Sequence, residues 1–375
     1  MKPRIKNWAV EHSDSFHNNT VQHWGFFTPE EIKTANQNGQ LLMLDIDFGR
    51  DCSLHCPGCF RRQNLVDNGQ PDLGYDELLD TLHQAKDLGL RSVKICGAGE
   101  PLENPRLLDL ARNLTEMDIG LAIFTKGNIL GDEVLCQEIH GLTPKDVCEE
   151  LFSLKTSVML SYPTFDKEML RKLVGGSVNY PDKLKIAAEL LALTGFNSTS
   201  PTRLAFVHAP VTKQSIGRAH EMYEFARNHN ILPILAFHMI SGEQINSRFL
   251  KKYDASTEDK LNLFKWAYRY NFEHGIQTPA EILHEGISCM PGVYPCNQIA
   301  VGLYITANGN VIRCPGDKGG NILGNVRDGL RNIWTKSRDW EFCGIHNCGC
   351  PYKDGTTIPW EIYGQLYQYI RSFTR

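Results

Sequence analysis

Leu41-Leu42-Met43-Leu44-Asp45-Ile46-Asp47-Phe48, followed at once by Gly49-Arg50-Asp51-Cys52-Ser53-Leu54-His55-Cys56-Pro57-Gly58-Cys59-Phe60, decides the reading of this chain. The first eight residues form a short apolar run of strand length. The strand ends just before three cysteines spaced C-x3-C-x2-C. Pro57 and Gly58 suit the tight turn that such a loop needs. Three thiolates on one short loop can ligate three irons of a cubane cluster. Iron–sulfur clusters ordinarily take four cysteines, so the fourth iron would lack a protein ligand. An open metal position is where a cofactor or substrate binds, as at a catalytic zinc. A zinc site is the alternative, but it calls for a fourth Cys or His at short range, and His55 lies inside the triplet.

Downstream, the pattern alternates. Strands are expected at 91–96, 120–125, 156–161, 203–208 and 233–238. Helices are expected at 75–88, 105–117, 132–140 with a resumption at Pro144, 181–193, 214–229 and 256–274. Asn104 suits a helix N-cap, and Gly195 a helix end. Six such strand–helix units imply an α/β fold with a parallel sheet, a partial (β/α)6 TIM-type barrel. In such folds ligands collect at the C-terminal ends of strands, where the cysteine triplet falls. The texture changes near residue 280. The stretch Ala300 to Cys314 reads as a β-hairpin turning at Asn308-Gly309, and Trp360 to Arg375 could form a closing helix. The expected organisation is an N-terminal extension over 1–40 that could cover the barrel, the barrel over 41–280, and a small Cys-rich, hairpin-containing domain over 281–375.

The 375 residues suffice for one large or two modest domains. Hydrophobic residues make up 42% and charged residues 22%, the balance of a soluble globular protein. A net charge of −4 without a basic block disfavours nucleic-acid binding. No run approaches a membrane span, and Met1 to Val10 has no apolar core of a signal peptide, so a cytoplasmic location is expected. Twelve cysteines in such a chain are reduced thiols rather than disulfides, and their clustering points to metal ligation. Cys96, Cys136 and Cys148 stand apart and read as core or surface thiols. His208 and His238 end strands and read as structural or substrate-facing.

A C-x3-C-x2-C loop directly after the first strand of an α/β barrel resembles the signature of the radical S-adenosylmethionine (radical SAM) superfamily. The resemblance implies that Cys52, Cys56 and Cys59 hold a [4Fe–4S] cluster whose open iron chelates the amino and carboxylate groups of SAM. It implies reductive cleavage of SAM to methionine and a 5′-deoxyadenosyl radical, which takes a hydrogen atom from substrate. The family usually has an aromatic or large apolar residue before the third cysteine. Here Gly58 stands there, with Phe60 just after Cys59, so Phe60 is a candidate for adenine packing. Cys96-Gly97-Ala98-Gly99-Glu100-Pro101 resembles the family's Gly-Gly-Glu-Pro motif, which implies SAM contact through Gly97, Ala98, Gly99 and Glu100. Phe124-Thr125-Lys126-Gly127-Asn128 resembles its Thr-Asn-Gly segment, with Lys126 in the Asn place and Thr125 a candidate contact. Ser161 resembles a ribose-contacting residue. Arg203 is a candidate for holding the SAM carboxylate bidentately.

Cys296, Gly309 and Cys314 form C-x12-G-x4-C, which matches the opening of the SPASM and twitch modules of such enzymes, and Gly324 to Trp334 resembles their linker. Cys343, Cys348 and Cys350 follow as C-x4-C-x-C. The full SPASM cysteine pattern is not present, which leaves one auxiliary [4Fe–4S] cluster. Its expected ligands are Cys296, Cys314, Cys348 and Cys350, with Cys289 and Cys343 as rivals. The function this implies is a radical SAM oxidoreductase. It would dehydrogenate, epimerise or crosslink a small molecule or peptide, with a flavodoxin- or ferredoxin-type reductant. A non-catalytic protein with two Cys-rich zinc sites is the alternative.

Overall fold

The computed structural model describes residues 21–25, 27–59, 69–175, 177–237, 244, 247–288, 290–293, 296, 298–316, 321–338 and 360–374. Phe60, His238, Cys289, Cys343, Cys348 and Cys350 lie outside the described residues.

The chain enters through helix α1 (Pro29–Asn38), whose start is fixed by a reciprocal Thr28/Glu31 capping box with Pro29 in the first turn. Strand β1 (Met43–Ile46) follows, then α2 (Tyr75–Asp87), β2 (Ser92–Ile95), α3 (Leu107–Glu116) and β3 (Gly120–Thr125). Next come α4 (Glu133–His140), α5 (Pro144–Ser153), β4 (Ser157–Leu160), α6 (Lys167–Val174), α7 (Tyr180–Thr194) and β5 (Leu204–His208). After α8 (Ala219–Asn228) and β6 (Leu232–Leu235) lie α9 (Ser247–Tyr253), α10 (Thr257–Glu273) and α11 (Pro279–Glu285). The chain ends with α12 (Gln298–Val301), β7 (Gly302–Ile305), β8 (Asn310–Ile312), β9 (Gly324–Asn325), α13 (Leu330–Lys336) and α14 (Trp360–Arg371).

Among the described residues nine strands form one sheet in the order β6-β5-β4-β3-β2-β1-β7-β8-β9. The strands β1 to β6 run parallel to their neighbours and the sheet does not close, giving the partial α/β barrel. Proline is tolerated at Pro233 because β6 is an edge strand and needs no second set of ladder bonds.

Strand periodicity separates two faces. Leu44, Ile46, Val93, Ile95, Leu121, Ile123, Val158, Leu160, Leu204 and Phe206 join the large core beneath the helices. Ala122, Met159, Ala205, Val207, Leu232 and Ile234 form a second, inner cluster with Val21. Residues 21–25 close the N-terminal end of the barrel. Val21 bridges Thr202, the Ser92 hydroxyl bonds the His23 carbonyl, and Trp24 lies over the Lys94 ammonium.

The hairpin expected around Asn308-Gly309 is present, with Tyr304 opposite Ile312 and Gly309 in the left-handed region. Its first strand, however, belongs to the barrel sheet. β7 runs parallel to β1, pairing Met43 with Gly302 and Ile46 with Ile305. Residues 302–325 therefore continue the sheet across the boundary expected near residue 280. Arg327 adds an ion pair to Glu77 at 2.7 Å, and the Trp334 indole donates to the Gly39 carbonyl at 2.8 Å. The helix expected from 214 begins later, at Ala219, because the Ser215 hydroxyl is drawn into a turn with Thr212 and the buried His208 ring.

Candidate active site

The cysteine loop leaves β1 at the C-terminal end of the sheet and is fastened from several sides. The Glu100 backbone N–H donates to the Asp51 carbonyl at 2.7 Å. Asn104 donates to the Phe48 carbonyl at 3.2 Å. Ser53 gives its N–H to Glu103 at 2.8 Å and its hydroxyl to the other oxygen of the same carboxylate at 2.5 Å. Asn128, just past β3, donates to the Ser53 hydroxyl at 3.2 Å. Leu54 is buried in the main core, and Gln244 donates to the Gly58 carbonyl at 2.8 Å. A Cys59 N–H to Cys56 carbonyl bond of 3.2 Å closes the turn between the last two cysteines.

Cys52, Cys56 and Cys59 all carry free thiols. Among the described residues no three His, Cys, Asp or Glu side chains converge as one metal ion would require. A cubane spreads its thiolates over separate irons, so three thiols on one anchored loop, with no fourth protein donor in the motif, fit that group.

The Gly97-to-Pro101 turn lies directly against this loop. Gly99 has φ +78, and a Cβ there would come within 3.0 Å of the Gly49 carbonyl and 3.1 Å of the Asp51 carbonyl. A Cβ on Gly97 would collide with the Asp47 carboxylate and the Tyr304 hydroxyl. The two glycines thus let the turn sit between the cysteine loop and the barrel wall. Asp47 accepts from the Ala98 N–H, the Tyr304 hydroxyl and the Ala307 N–H, which ties β1, the turn and β7 together.

Glu100 is buried, at 3% exposure, and accepts from the Thr125 hydroxyl, the Lys126 N–H at 2.8 Å and the Leu102 N–H at 3.3 Å. Burial raises its pKa to about 7, against the opposing pull of those donors. The Thr125 hydroxyl is committed to Glu100 and to the Gly127 N–H at 2.9 Å. The side chains of Glu100 and Thr125, expected to touch SAM, are therefore engaged with the protein and hold the turn in place.

Ser161 stands where expected, at the end of β4, but its hydroxyl receives the Lys126 ammonium at 2.8 Å. Both line an open cleft together with Pro57 and Gly58 of the cysteine loop. Lys172, Leu173, Pro210, Phe249 and Tyr253 complete its walls.

Arg203 is a correction. It precedes β5, at the opposite end of the sheet from the cysteines. Its guanidinium donates to the carbonyls of Leu151, Phe152 and Thr156 and lies over the Phe152 and Phe196 rings. It has no access to the cleft and caps α5 instead.

Inside the barrel, Lys94 pairs with Asp45 at 2.9 Å, and Gln298 donates to the other Asp45 oxygen at 2.7 Å. Burial alone would lower the Lys94 pKa, but Asp45, Cys96 and Cys296 more than offset this and raise it. The Cys96 thiol is pushed up, first by burial and then by Asp45, with Cys314 also acting on it. Cys314 is buried and its sulfur accepts the Gly316 N–H at 3.3 Å. Cys296 thus acts on the Lys94 ammonium and Cys314 on the Cys96 thiol, so that Cys96 has charged neighbours from both ends of the chain. The signal available was periodicity: Asp45, Asp47, Lys94 and Cys96 alternate with apolar residues on two adjacent strands.

Residues 46–226 match the family model described as the radical SAM superfamily. The chain carries a radical SAM domain. A curated relative that matches it is a tungsten-containing aldehyde ferredoxin oxidoreductase cofactor-modifying protein of Pyrococcus furiosus, 34% identical over 93 residues. That match spans 24% of this chain and only 26% of the relative. Among solved structures, the radical SAM fold is shared with Streptococcus suis SuiB bound to precursor peptide SuiA, at 21% identity and TM-score 0.57, over 81% of this chain and 67% of SuiB. Native anSMEcpe with bound AdoMet and Cp18Cys peptide is similar at 16% identity and TM-score 0.56, over 89% of this chain and 96% of that one. Among the described residues no helix is long and apolar enough to cross a membrane.

Proposed function

We propose that the chain binds a [4Fe–4S] cluster and SAM at the C-terminal end of its barrel. It would use them to take a hydrogen atom from a peptide or small-molecule substrate in a redox modification. The observation that carries this reading is the seating of the three-cysteine loop against the Gly97-to-Pro101 turn. Cys52, Cys56 and Cys59 would hold the cluster. When bound, cluster and SAM supply a one-electron reductive cleavage that yields a radical able to abstract hydrogen.

The chain's own residues prepare the site. Glu100 and Thr125 lock the turn so that its backbone faces the loop. Glu103 and Asn128 fix Ser53, next to Cys52, and so limit the loop's movement. The cleft at the ends of β3, β4 and β5 gives SAM and substrate a shared space with walls of both apolar and cationic side chains.

A peptide is the favoured substrate class, since SuiB and anSMEcpe, which share the fold, are both described with peptides. Cys296 and Cys314, with Cys348 and Cys350, would hold an auxiliary cluster that passes the second electron. The bond from the Gly316 N–H to the Cys314 sulfur is the kind of support a cluster thiolate uses. A flavodoxin- or ferredoxin-type protein would deliver the first electron.

Anaerobic reconstitution tests the reading. The wild-type protein is expected to take up iron and sulfide and to produce 5′-deoxyadenosine from SAM under reduction. Replacement of Cys52, Cys56 and Cys59 by Ala should abolish both the SAM-cleaving iron and the product. Zinc without iron, or cleavage that survives the triple replacement, overturns it.

A further inference from the structure

Two lysines line the cleft beside the cysteine loop, and the fold treats them differently. Lys172 is exposed on α6. Lys126 is half-buried and fixed at three points. Its N–H donates to buried Glu100 at 2.8 Å, its carbonyl accepts from the buried Tyr180 hydroxyl at 2.9 Å, and its ammonium donates to Ser161 at 2.8 Å. Ser161 is itself 1% exposed.

An ammonium has three donors. Among the described residues that of Lys126 meets a neutral hydroxyl and no carboxylate. A cation held at a defined place in a cleft, with donors left over, is arranged for an anion. Pro57 and Gly58 of the cysteine loop line the same cleft, so an anion on Lys126 shares the space that the loop faces. The guanidinium first expected to serve SAM, Arg203, is spent on backbone carbonyls at the far end of the barrel.

We propose that Lys126, aimed by Ser161, takes the carboxylate of SAM, and that Ser161 acts through Lys126 rather than on the ribose. The inference rests on the reading of this cleft as a SAM site. Ser161 is then a positioning residue, and the Lys in the Asn place of the third-strand segment is a change of function and not a neutral one. A charge-assisted bond of this kind discriminates by tenfold or more between ligands with and without the carboxylate.

Equilibrium dialysis on the reconstituted full-length protein tests this, with iron content measured for every variant. SAM and 5′-methylthioadenosine, which keeps the nucleoside and sulfur but has no carboxylate, serve as the two probes. Lys126→Met is expected to weaken SAM binding by about tenfold or more and to leave 5′-methylthioadenosine unchanged. Lys126→Arg should recover most of the affinity. Ser161→Ala should lose part of it, and add nothing further in combination with Lys126→Met.

SAM affinity within twofold in Lys126→Met overturns the proposal, as does a parallel loss for both probes. Additive losses for Ser161 and Lys126 overturn the part assigned to Ser161. A wild-type protein that takes up iron but binds no SAM removes the underlying reading of the cleft, a result distinct from any of these.

Discussion

The Lys94 ammonium lies 2.9 Å from the Asp45 carboxylate, and the two are opposite one another on adjacent strands β2 and β1 with almost no exposure. One side of the barrel interior is therefore ionic, while the β3-to-β6 side is apolar. A buried pair is costly to break from one side, because the remaining charge has lost its compensation. Lys94→Met is expected to destabilise the fold by roughly 3 to 5 kcal/mol in urea titration. Lys94→Met with Asp45→Leu should recover much of that, since both charges are then gone. Equal loss in the single and double variants would show that the pair contributes through packing alone.

Glu100 gives a pH dependence whose sign follows from its environment. Its pKa in the fold is about 7, against an ordinary value of 4.5. The folded protein thus holds a proton that the unfolded chain has released between those two values. Stability contributed by that proton is present at low pH and is lost as pH rises towards 7, by up to about 3 kcal/mol. Glu100→Gln cannot titrate, so the difference in unfolding free energy between wild type and variant should slope across pH 4.5 to 7 and flatten above. A difference that is level through this window would sink the assignment of a raised Glu100.

The barrel was legible from the sequence because its strands are short apolar runs separated by helices with clear ends, such as Gly195 after α7. The cysteine loop's place was legible for the same reason: it follows β1. Side-chain commitments were not. Arg203 and Ser161 both stand beside strand ends, but which end faces the site depends on strand direction and on where the neighbouring helix stops. Arg203 precedes its strand and meets the last carbonyls of α5. Thr125 and Glu100 are 25 residues apart and bond only because β2 and β3 are adjacent. The membership of β7 in the barrel sheet was hidden because a hairpin signal reports the local turn and says nothing about the outer neighbour of its first strand.

Gly99 is where turn and cysteine loop come closest, and it adopts φ +78. Ala there meets two costs together: a left-handed backbone and a Cβ pressed on the carbonyls of Gly49 and Asp51. Those carbonyls are backbone and cannot swing aside, so the loop itself must shift. Gly99→Ala is expected to lower stability by about 1–3 kcal/mol and to reduce iron incorporation at Cys52, Cys56 and Cys59. Measured together, melting temperature and iron content should both fall. Full iron uptake with an unchanged melting temperature would show that the loop tolerates displacement.

Arg203 separates a structural cation from a binding one. Its guanidinium adds a second set of donors to the carbonyls of Leu151 and Phe152 in the last turn of α5, which also accept from the Thr156 and Lys155 N–H, and donates to that of Thr156 just before β4. It is also stacked over Phe152 at 4.4 Å and Phe196 at 5.2 Å. Arg203→Ala removes the guanidinium bonds to three carbonyls, of which those of Leu151 and Phe152 keep backbone donors, and leaves a gap between two rings, so a loss on the order of 2 kcal/mol is expected. Lys can reach one carbonyl but cannot fork across three, so Arg203→Lys should restore only part. SAM affinity of the folded variants should match the wild type, because the site lies at the other end of the strands. A fall in SAM affinity of tenfold or more, with iron content and folding intact, would return Arg203 to the cofactor and contradict its placement beneath the barrel.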